Sequence, residues 1–369
     1  MEKTLPEVCI IQYGFPFDSS KFCSAEGVPL VRIRDVVRGY SETYTTEIAG
    51  ENYIVNDGDL LIGMDGEFNI AYWKGGRAYL NQRVCRLIPR EDVDRDYIFY
   101  YMPQALKAIE DATPFVTVKH LSAKQLSKIL IPLPDMSEQQ RISAVLRSVD
   151  RVIAMRKKEL DEINNLVKSR FIELFGDQTA NPYAWQQTSI GACCTLKSGT
   201  SLPADRENEG GAIPYVKVGD MNYPGNEQYI TTSSRFVSEQ TAGTGVFPVG
   251  TVVFPKRGGA IGTNKKRLTR IPICADLNVM GVTAGRRLTP QYLMAYFNTV
   301  DLGTLNNGSS VPQINNKDIA PLLICIPPMA LQEQFAAFVE QTDKSKLAVQ
   351  KGLQELEILK KSLMQQYFG

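Results

Sequence analysis

The sequence predicts an α+β protein in which two β-rich domains are separated by two long antiparallel helices, which form a coiled coil with an internal pseudo-two-fold. Residues 124–176 align without a gap, at a constant offset, with residues 317–369. Before each copy lie short apolar runs separated by Gly, Pro, Asn and Asp, which is typical of strands and turns. A repeat this long indicates two copies of one structural unit and a target with two-fold character.

Composition limits the class of protein. The 369 residues give room for two to three domains, and the net charge of +1 neither supports nor excludes a polyanionic partner. No apolar run reaches the roughly 18 residues that span a bilayer, and the first residues lack the basic-then-apolar pattern of a secretory leader. The seven cysteines include no CxxC pair, which argues against a zinc ribbon or a disulfide framework. We therefore expect a soluble, cytoplasmic protein that does not bind a membrane.

The chain divides into five segments in order. They are a β-rich domain (1–119), the first repeat copy with its long helix (120–176), a polar linker (177–185), a second β-rich domain (186–313) and the second copy (314–369). The two β-rich domains share short matches, including 28–35 with 213–220, and Gly58 and Gly250 each precede the next shared strand. Beyond these matches the domains diverge, as expected for two readers of different targets.

The long helices are predicted by heptad spacing. Residues 137–174 contain no Gly or Pro, and their apolar residues recur at alternating four- and three-residue steps. The predicted seam consists of Ile142, Leu146, Val149, Ile153, Leu160, Ile163, Val167 and Leu174. The second helix, 330–367, has a rougher seam that Thr342, Lys346 and Lys360 interrupt. A helix of about 38 residues is roughly 57 Å long and needs a partner along its length, so we expect the two helices to pair.

Two motifs carry a family resemblance. They are IPLPDMSEQQRI at 131–142 and ICIPPMALQEQF at 324–335, each followed by a long helix that ends in Phe-Gly. Together with the order of domains and helices along the whole chain, they resemble the specificity subunit of type I restriction–modification systems. The resemblance implies two target recognition domains, 1–119 and 186–313, each reading one half of a bipartite, asymmetric sequence in double-stranded DNA.

The resemblance also implies partners. The helices would space the recognition domains and dock two methyltransferase subunits, and restriction subunits would join the full complex. The turn that begins each helix is expected to contact these partners through Gln139, Gln140, Arg141, Gln332 and Gln334. The second copy departs from the Glu-Gln-Gln-Arg pattern of the first, so its contacts are expected to differ. We expect no catalysis by this chain, and neither a cofactor nor a metal ion, since it has a single histidine and no convincing nucleotide-binding motif.

The strongest basic signal for DNA binding lies in the second domain. A glycine-rich stretch without an acidic residue contains Lys256, Arg257, Lys265, Lys266, Arg267 and Arg270. Such side chains can neutralise phosphates or reach guanine edges in the major groove. A basic hairpin that is simply solvated is the alternative.

The corresponding loop of the first domain, 63–69, is acidic. Asp65 or Glu67 could accept a hydrogen bond from cytosine N4, although a turn that carries acidic residues for solubility explains them equally. The residues expected to position the DNA backbone are Arg32, Arg34, Arg38, Lys74 and Arg77, with Lys217 at the position in the second domain that matches Arg32. Residues 113–119 and 306–310 precede the repeat, and the amides of the latter suit either adenine recognition or an Asn-Gly turn.

Two other functions remain open from the residues alone. The chain could be an assembly scaffold whose β-rich domains bind protein and have no preference for any DNA sequence. It could also be a self-contained enzyme with a degenerate active site.

Overall fold

The computed structural model describes all residues except 1, 114–118 and 306–311, and the chain forms two compact units. The first unit is Met1–Lys157 with Gly352–Gly369, and the second is Lys158–Lys351. Each unit therefore combines one β-rich domain with the beginning of the long helix that follows it and the end of the other long helix. The boundary between units cuts both helices and does not follow the order of segments along the chain.

The first unit contains three sheets. Its strands are β1 (Glu2–Thr4), β2 (Cys9–Tyr13), β3 (Phe22–Cys23), β4 (Val28–Val31), β5 (Tyr44–Thr45), β6 (Ile54–Val55), β7 (Leu60–Gly63), β8 (Asn69–Tyr72), β9 (Ala78–Leu80), β10 (Val84–Pro89) and β11 (Leu130–Pro132). Its helices are α1 (Leu5–Val8), α2 (Ile33–Arg38), α3 (Arg95–Ala112), α4 (Ala123–Leu126) and the first part of α5 (Met136–Phe175). An antiparallel sheet has the order β2-β10-β7-β8, a mixed sheet has the order β3-β5-β4-β9-β6, and β1 pairs with β11.

The second unit repeats this plan. Its strands are β12 (Gln186–Ser189), β13 (Cys194–Ser198), β14 (Ile213–Val216), β15 (Tyr229–Ile230), β16 (Phe236–Val237), β17 (Thr251–Pro255), β18 (Arg267–Thr269), β19 (Cys274–Ala275), β20 (Val279–Ala284) and β21 (Leu323–Ile326). Its helices are α6 (Ile190–Cys193), α7 (Glu239–Ala242), α8 (Pro290–Thr299), α9 (Asn316–Ile319) and the first part of α10 (Met329–Phe368). The sheets have the orders β13-β20-β17-β18-β15, β16-β14-β19 and β12-β21.

Two glycines show that the domains share backbone geometry. A Cβ at Gly14 would lie 2.1 Å from the backbone oxygen of Asn81, and a Cβ at Gly199 would lie 2.1 Å from that of Asp276. Both approaches occur where the end of a strand crosses a neighbouring segment, and only glycine leaves room there. The matches that the sequence shows between the domains therefore reflect one common fold.

The matched segment 28–35 is a strand followed by a capped helical turn. The strand β4 ends at Val31, and the carboxylate of Asp35 accepts a hydrogen bond from the backbone N–H of Arg32 (2.9 Å). Asp220 accepts the same bond from Lys217 (2.7 Å). A side-chain acceptor three residues into a helix satisfies a backbone N–H that would otherwise have no partner. This cap explains why the apolar run to Ile33 does not continue as a strand.

The long helices extend one residue beyond the predicted 137–174 and 330–367 at each end. Both α5 and α10 contain 40 residues, or roughly 60 Å of helix. In the first unit Lys157 lies 3.6 Å from Glu357, and Asp150 lies 2.6 Å from Lys360. Residue numbers rise along one helix as they fall along the other, so the predicted antiparallel pairing is confirmed there.

Four residues of the predicted seam of α5 are buried, namely Ile142, Leu146, Val149 and Ile153. The prediction omitted Phe171 and Phe175, which are among the most buried residues of the helix. They pack against the ring of Tyr292 in α8, at centroid distances of 5.5 and 4.7 Å, and against Phe335 of α10. None of the helices in the described ranges is both long and apolar enough to cross a membrane.

Candidate nucleic-acid interface

In the first domain, the loop that follows β7 is fixed by backbone pairing with the segment that precedes the repeat. Residues 64–66 pair with residues 119–121 through N–H···O bonds of 2.9 and 2.7 Å. This pairing sets Asp65 opposite His120 as an isolated β-bridge.

The second domain has the same pairing in the same register. Residues 256–258 pair with residues 312–314 through bonds of 2.8 and 2.9 Å, which sets Arg257 opposite Gln313. Arg257 therefore occupies the backbone position that Asp65 occupies in the first domain. The correspondence between the acidic and the basic loop, predicted from sequence, follows from these hydrogen bonds.

The acidic side chain of the first loop is held by two cationic or potentially cationic groups. The Asp65 carboxylate lies 2.5 Å from Nδ1 of His120 and 3.4 Å from Nε of Arg83, and its side chain is 18 % exposed. Arg83 and His120 themselves are largely exposed. Asp65 is thus a partnered acceptor, and the exposed chemistry of this loop comes mainly from its two neighbours. The sequence analysis did not select either neighbour as a candidate for DNA binding.

Three arginines line a groove of about 410 Å³ in the first domain. They are Arg32, Arg34 and Arg83, and the amides of Asn81 and Gln82 line the same groove. This arrangement brings the two predicted arginines together with one that the sequence did not indicate.

Arg32 and Arg34 are both exposed. The Arg32 guanidinium lies 5.9 Å from the centroid of the Phe22 ring, and Arg34 donates a 3.3 Å hydrogen bond to the hydroxyl of Thr43. Neither contact uses all the donors of a guanidinium, so both side chains can still bind phosphate oxygens.

The other predicted residues of the first domain do not line this groove. Lys74 and Arg77 are exposed in the turn between β8 and β9, and Arg77 forms an ion pair with Glu51 (2.8 Å). Glu67 is exposed at the tip of the acidic loop. Trp73 in the same turn is buried.

Arg257 is the exposed cation of the second loop. Its neighbour Lys256 is partly buried and donates a 2.8 Å hydrogen bond to the hydroxyl of Ser198. Burial, with a smaller contribution from the charge of Arg257, lowers the pKa of Lys256 below its usual value.

Lys266 was predicted to contact DNA, but its side chain is in the interior. It is 5 % exposed, and its ammonium donates to the backbone oxygen of Val300 (2.7 Å) and to Oδ1 of Asn264 (2.8 Å). Burial lowers its pKa to about 8. Its donors already bind acceptors of the protein, so this geometry does not support the predicted contact of Lys266 with DNA.

Arg267 and Lys265 are also bound to the protein. Arg267 donates to the backbone oxygens of Asn226 (2.6 Å) and Met221 (3.1 Å) and is half-buried. Lys265 donates to the side-chain oxygen of Asn222. Arg267 therefore stabilises the loop, and its predicted contact with DNA does not fit this geometry.

Two further predicted cations pair with acidic residues. Arg270 lies over the ring of Tyr229 (3.9 Å to the centroid) and 3.1 Å from the Asp343 carboxylate, so it joins the domain to α10. Lys217 lies 2.6 Å from Glu207. Its position matches Arg32, as predicted, but its charge is compensated locally.

The predicted partner-binding turn is divided between buried and exposed residues. Gln139 and Gln332 are 1 % and 0 % exposed, which does not support the prediction that they contact another subunit. Both bind the backbone of their own unit. Gln140, Gln334 and Arg141 are exposed, and Arg141 forms an ion pair with Glu138 (2.6 Å).

Residues 113–119 and 306–310 precede the repeat, and the amides of 306–310 were candidates for adenine recognition. Of these, residues 114–118 and 306–310 lie outside the described residues, so their predicted role stays a prediction.

Comparison with known proteins identifies one family. A profile of the family described as Type I restriction modification DNA specificity domain matches residues 1–165 and 182–358. The chain is 41 % identical over 167 residues to the type I restriction enzyme EcoBI specificity subunit of Escherichia coli, across 45 % of this chain and 35 % of that protein. It is 23 % identical over 314 residues to the MjaIX specificity subunit of Methanocaldococcus jannaschii, across 77 % of this chain and 70 % of that protein.

Two solved structures have a similar fold. One is the S subunit of a type I restriction–modification system from M. genitalium, with a TM-score of 0.58 and 14 % identity, covering 99 % of this chain and 94 % of that one. The other comes from work on complex assembly and conformational transition of the type I restriction–modification system. Its TM-score is 0.58 at 18 % identity, covering 100 % of this chain and 97 % of that one.

Proposed function

This chain belongs to the family of type I restriction–modification specificity subunits, and we propose that it selects the DNA target of such a complex. Each β-rich domain reads one half of a bipartite, asymmetric sequence in double-stranded DNA. The chain does not carry out the chemistry. Methyl transfer and cleavage belong to the methyltransferase and restriction subunits that assemble on it.

One observation carries this proposal. The two recognition domains place Asp65 and Arg257 at the same backbone position, opposite His120 and Gln313. One fold that carries different hydrogen-bonding groups at one backbone position is what the recognition of two different base sequences requires.

The chemistry at each position suggests what is read. Arg257 is an exposed guanidinium, which can donate two hydrogen bonds to O6 and N7 of guanine. In the first domain Arg83 and His120 supply the exposed donors, and Asp65 orients them. The groove lined by Arg32, Arg34 and Arg83 suits the phosphates beside that half-site.

The paired helices serve spacing and assembly in this proposal. Each is roughly 60 Å long, a scale of one to two turns of DNA at ~34–36 Å per turn. The exposed residues Gln140, Arg141 and Gln334, at the start of the helices, are the positions of the predicted turn that two methyltransferase subunits can reach.

The first test is to co-express the chain with its methyltransferase subunit and to map methylated adenines across the host genome by single-molecule sequencing. We expect a bipartite, asymmetric motif that disappears when the gene for this chain is deleted. A stable complex without any motif would instead support the alternative, an assembly scaffold with no preference for a DNA sequence.

Two substitutions, one in each recognition domain, test which domain reads which half of the DNA target. Arg257→Ala is expected to relax recognition at one base pair of one half-site, by about 1–3 kcal/mol, and Asp65→Asn is expected to alter only the other half. If both substitutions change the same half-site, the domains are not independent readers.

A further inference from the structure

Gln139 is buried and uses its whole amide group on the backbone of the first unit. Its Oε1 accepts a hydrogen bond from the N–H of Asp94 (2.9 Å). Its Nε2 donates to the backbone oxygens of Pro134 (2.9 Å) and, more weakly, Asp92 (3.4 Å). The side chain therefore ties the start of α5 to the connection between β10 and α3.

Gln332 makes the equivalent bonds in the second unit. Its Oε1 accepts from the N–H of Thr289 (2.9 Å), and its Nε2 donates to the backbone oxygens of Pro327 (2.9 Å) and Arg287 (3.0 Å). This ties the start of α10 to the connection between β20 and α8. The sequence resemblance had led to the expectation that these glutamines bind a partner subunit.

A tyrosine and a phenylalanine reinforce each junction. Tyr97 packs edge-to-face on Phe368 (5.3 Å between centroids), and its hydroxyl donates to the backbone oxygen of Pro132. Tyr292 packs in the same way on Phe175 (4.7 Å) and donates to the backbone oxygen of Cys325 (2.9 Å). We refer to each Gln–Tyr–Phe set as a clamp.

The glutamine bonds do not depend on side chains of the recognition domains. Asp92 and Asp94 in one domain correspond to Arg287 and Thr289 in the other, which have different chemistry, yet the bonded atoms are the same backbone groups. The glutamine bonds can therefore hold any recognition domain of this fold at one angle to the helix pair, whatever side chains that domain carries at these positions.

We propose that Gln139 and Gln332 are positioning residues that fix this angle, and that they thereby restrict the protein to one spacer length between its two half-sites. The inference rests on the proposed bipartite function. A rotation of about 8° at the clamp displaces a point about 25 Å away, roughly the dimension of a domain, by about 3.4 Å, which is one base-pair step. A small rotation at the clamp would therefore be enough for the protein to accept a spacer that is one base pair longer or shorter.

The test uses the full chain in complex with its methyltransferase subunits. The substrates are duplexes that carry the mapped half-sites with the native spacer, one base pair fewer or one base pair more. We expect Gln332→Met and Gln139→Met to raise methylation of the altered spacers, relative to the native spacer, by about tenfold, without changing the half-site sequences. Methionine has nearly the shape of glutamine but leaves the backbone groups without a partner.

Exposed glutamines elsewhere on α10, Gln341 and Gln366, supply matched controls, since Gln341→Met and Gln366→Met leave both the clamp and the proposed partner-binding turn intact. If Gln332→Met does not fold, Gln332→Glu takes its place. This variant keeps the acceptor for the Thr289 N–H and loses the donors to Pro327 and Arg287. A thermal melt verifies folding of each variant before the assay.

The outcomes separate the two proposals. A native chain with no bipartite motif contradicts the proposed function itself. A bipartite motif with unchanged spacer discrimination in a folded Gln332 variant overturns the clamp proposal alone. Loss of base preference within one half-site would also overturn it, because Gln332 would then act on recognition and not on spacing.

Discussion

The basic residues of the second recognition domain differ in what their N–H groups bind. Lys266 and Arg267 donate to backbone carbonyl oxygens of their own domain. A buried carbonyl left without a donor costs about 1–3 kcal/mol, so these cations stabilise the loop that they were expected to present to DNA. Arg257 remains exposed, at the position equivalent to Asp65. We therefore expect electrostatic attraction to DNA to depend on fewer side chains than the composition of the loop suggests.

Replacing Arg32 by alanine tests the groove of the first domain. We expect weaker DNA binding and a reduction of about 0.9 in the slope of log K against log[salt], because one phosphate contact releases about one counterion. Arg77→Ala is the control, since Arg77 pairs with Glu51 and does not line the groove. Fluorescence anisotropy of a labelled duplex at several salt concentrations measures both. Equal slopes for native protein and Arg32→Ala would remove this groove from the interface.

Lys266 predicts a dependence of stability on pH. Its folded pKa of about 8 lies below the unfolded value near 10.4, so between these values only the unfolded chain binds the proton. The free energy of unfolding, relative to that of Lys266→Met, should rise with pH from about 8 to 10, by on the order of 1 kcal/mol per pH unit. Urea unfolding of both proteins from pH 7 to 10 measures this difference. A difference that is constant across the range would contradict the burial of this lysine.

The position of the basic loop could be predicted because its charges are adjacent in sequence. The sequence could not show which of these cations bind acceptors of the protein, because the acceptors are distant along the chain. Lys266 binds Val300, 34 residues away, and Arg267 binds Met221, 46 residues away. Arg83 was missed for a similar reason. It joins Arg32 and Arg34 only when β4 and the segment after β9 lie side by side, which a one-dimensional charge pattern does not show.

At the scale of elements, the long helices were predicted almost completely. In α5, a stretch without Gly or Pro and with heptad spacing fixes the helix locally, and α10 was predicted because it repeats the same segment. Phe171 and Phe175 escaped the prediction because a heptad seam describes contact with another helix. These two rings contact Tyr292 of α8 as well as Phe335 of α10, and the first of these contacts depends on how the second domain folds.

Phe175→Ala is expected to loosen the junction between helix and domain in the second unit. The ring is fully buried between Tyr292 and Phe335, and truncating a buried Phe costs about 3–5 kcal/mol. Native-state hydrogen exchange should show this loss in the opening free energy of amides in α8. Ile172→Ala, at a side chain that is 58 % exposed on the same helix, should change it by less than about 0.5 kcal/mol. Similar losses in both variants would mean that this packing is not specific to Phe175.

At the scale of the molecule, the chain uses one structural unit twice and varies only what each copy exposes. Equivalent strands, the close contacts at Gly14 and Gly199, and the glutamine bonds of the two clamps recur in both units. In each clamp the glutamine side chain binds backbone atoms of the recognition domain, and the two glycine contacts are also with backbone atoms. The differences, such as Asp65 against Arg257, are in side chains. Recognition can therefore diverge without changing how a domain is attached to its helices.

Exchange of a whole recognition domain is the strongest test of this division. Replacing residues 1–119 by the corresponding domain of another family member should change one half of the methylated motif. The second half should stay unchanged, and so should the spacer, because Gln139 binds only backbone groups, at Asp92, Asp94 and Pro134. Genome-wide mapping of methylated adenines in cells that carry the chimaera measures both half-site sequences and the spacer length in one experiment. A motif altered in both halves would show that the domains recognise DNA jointly, and an altered spacer would show that the attachment angle depends on the side chains of the domain.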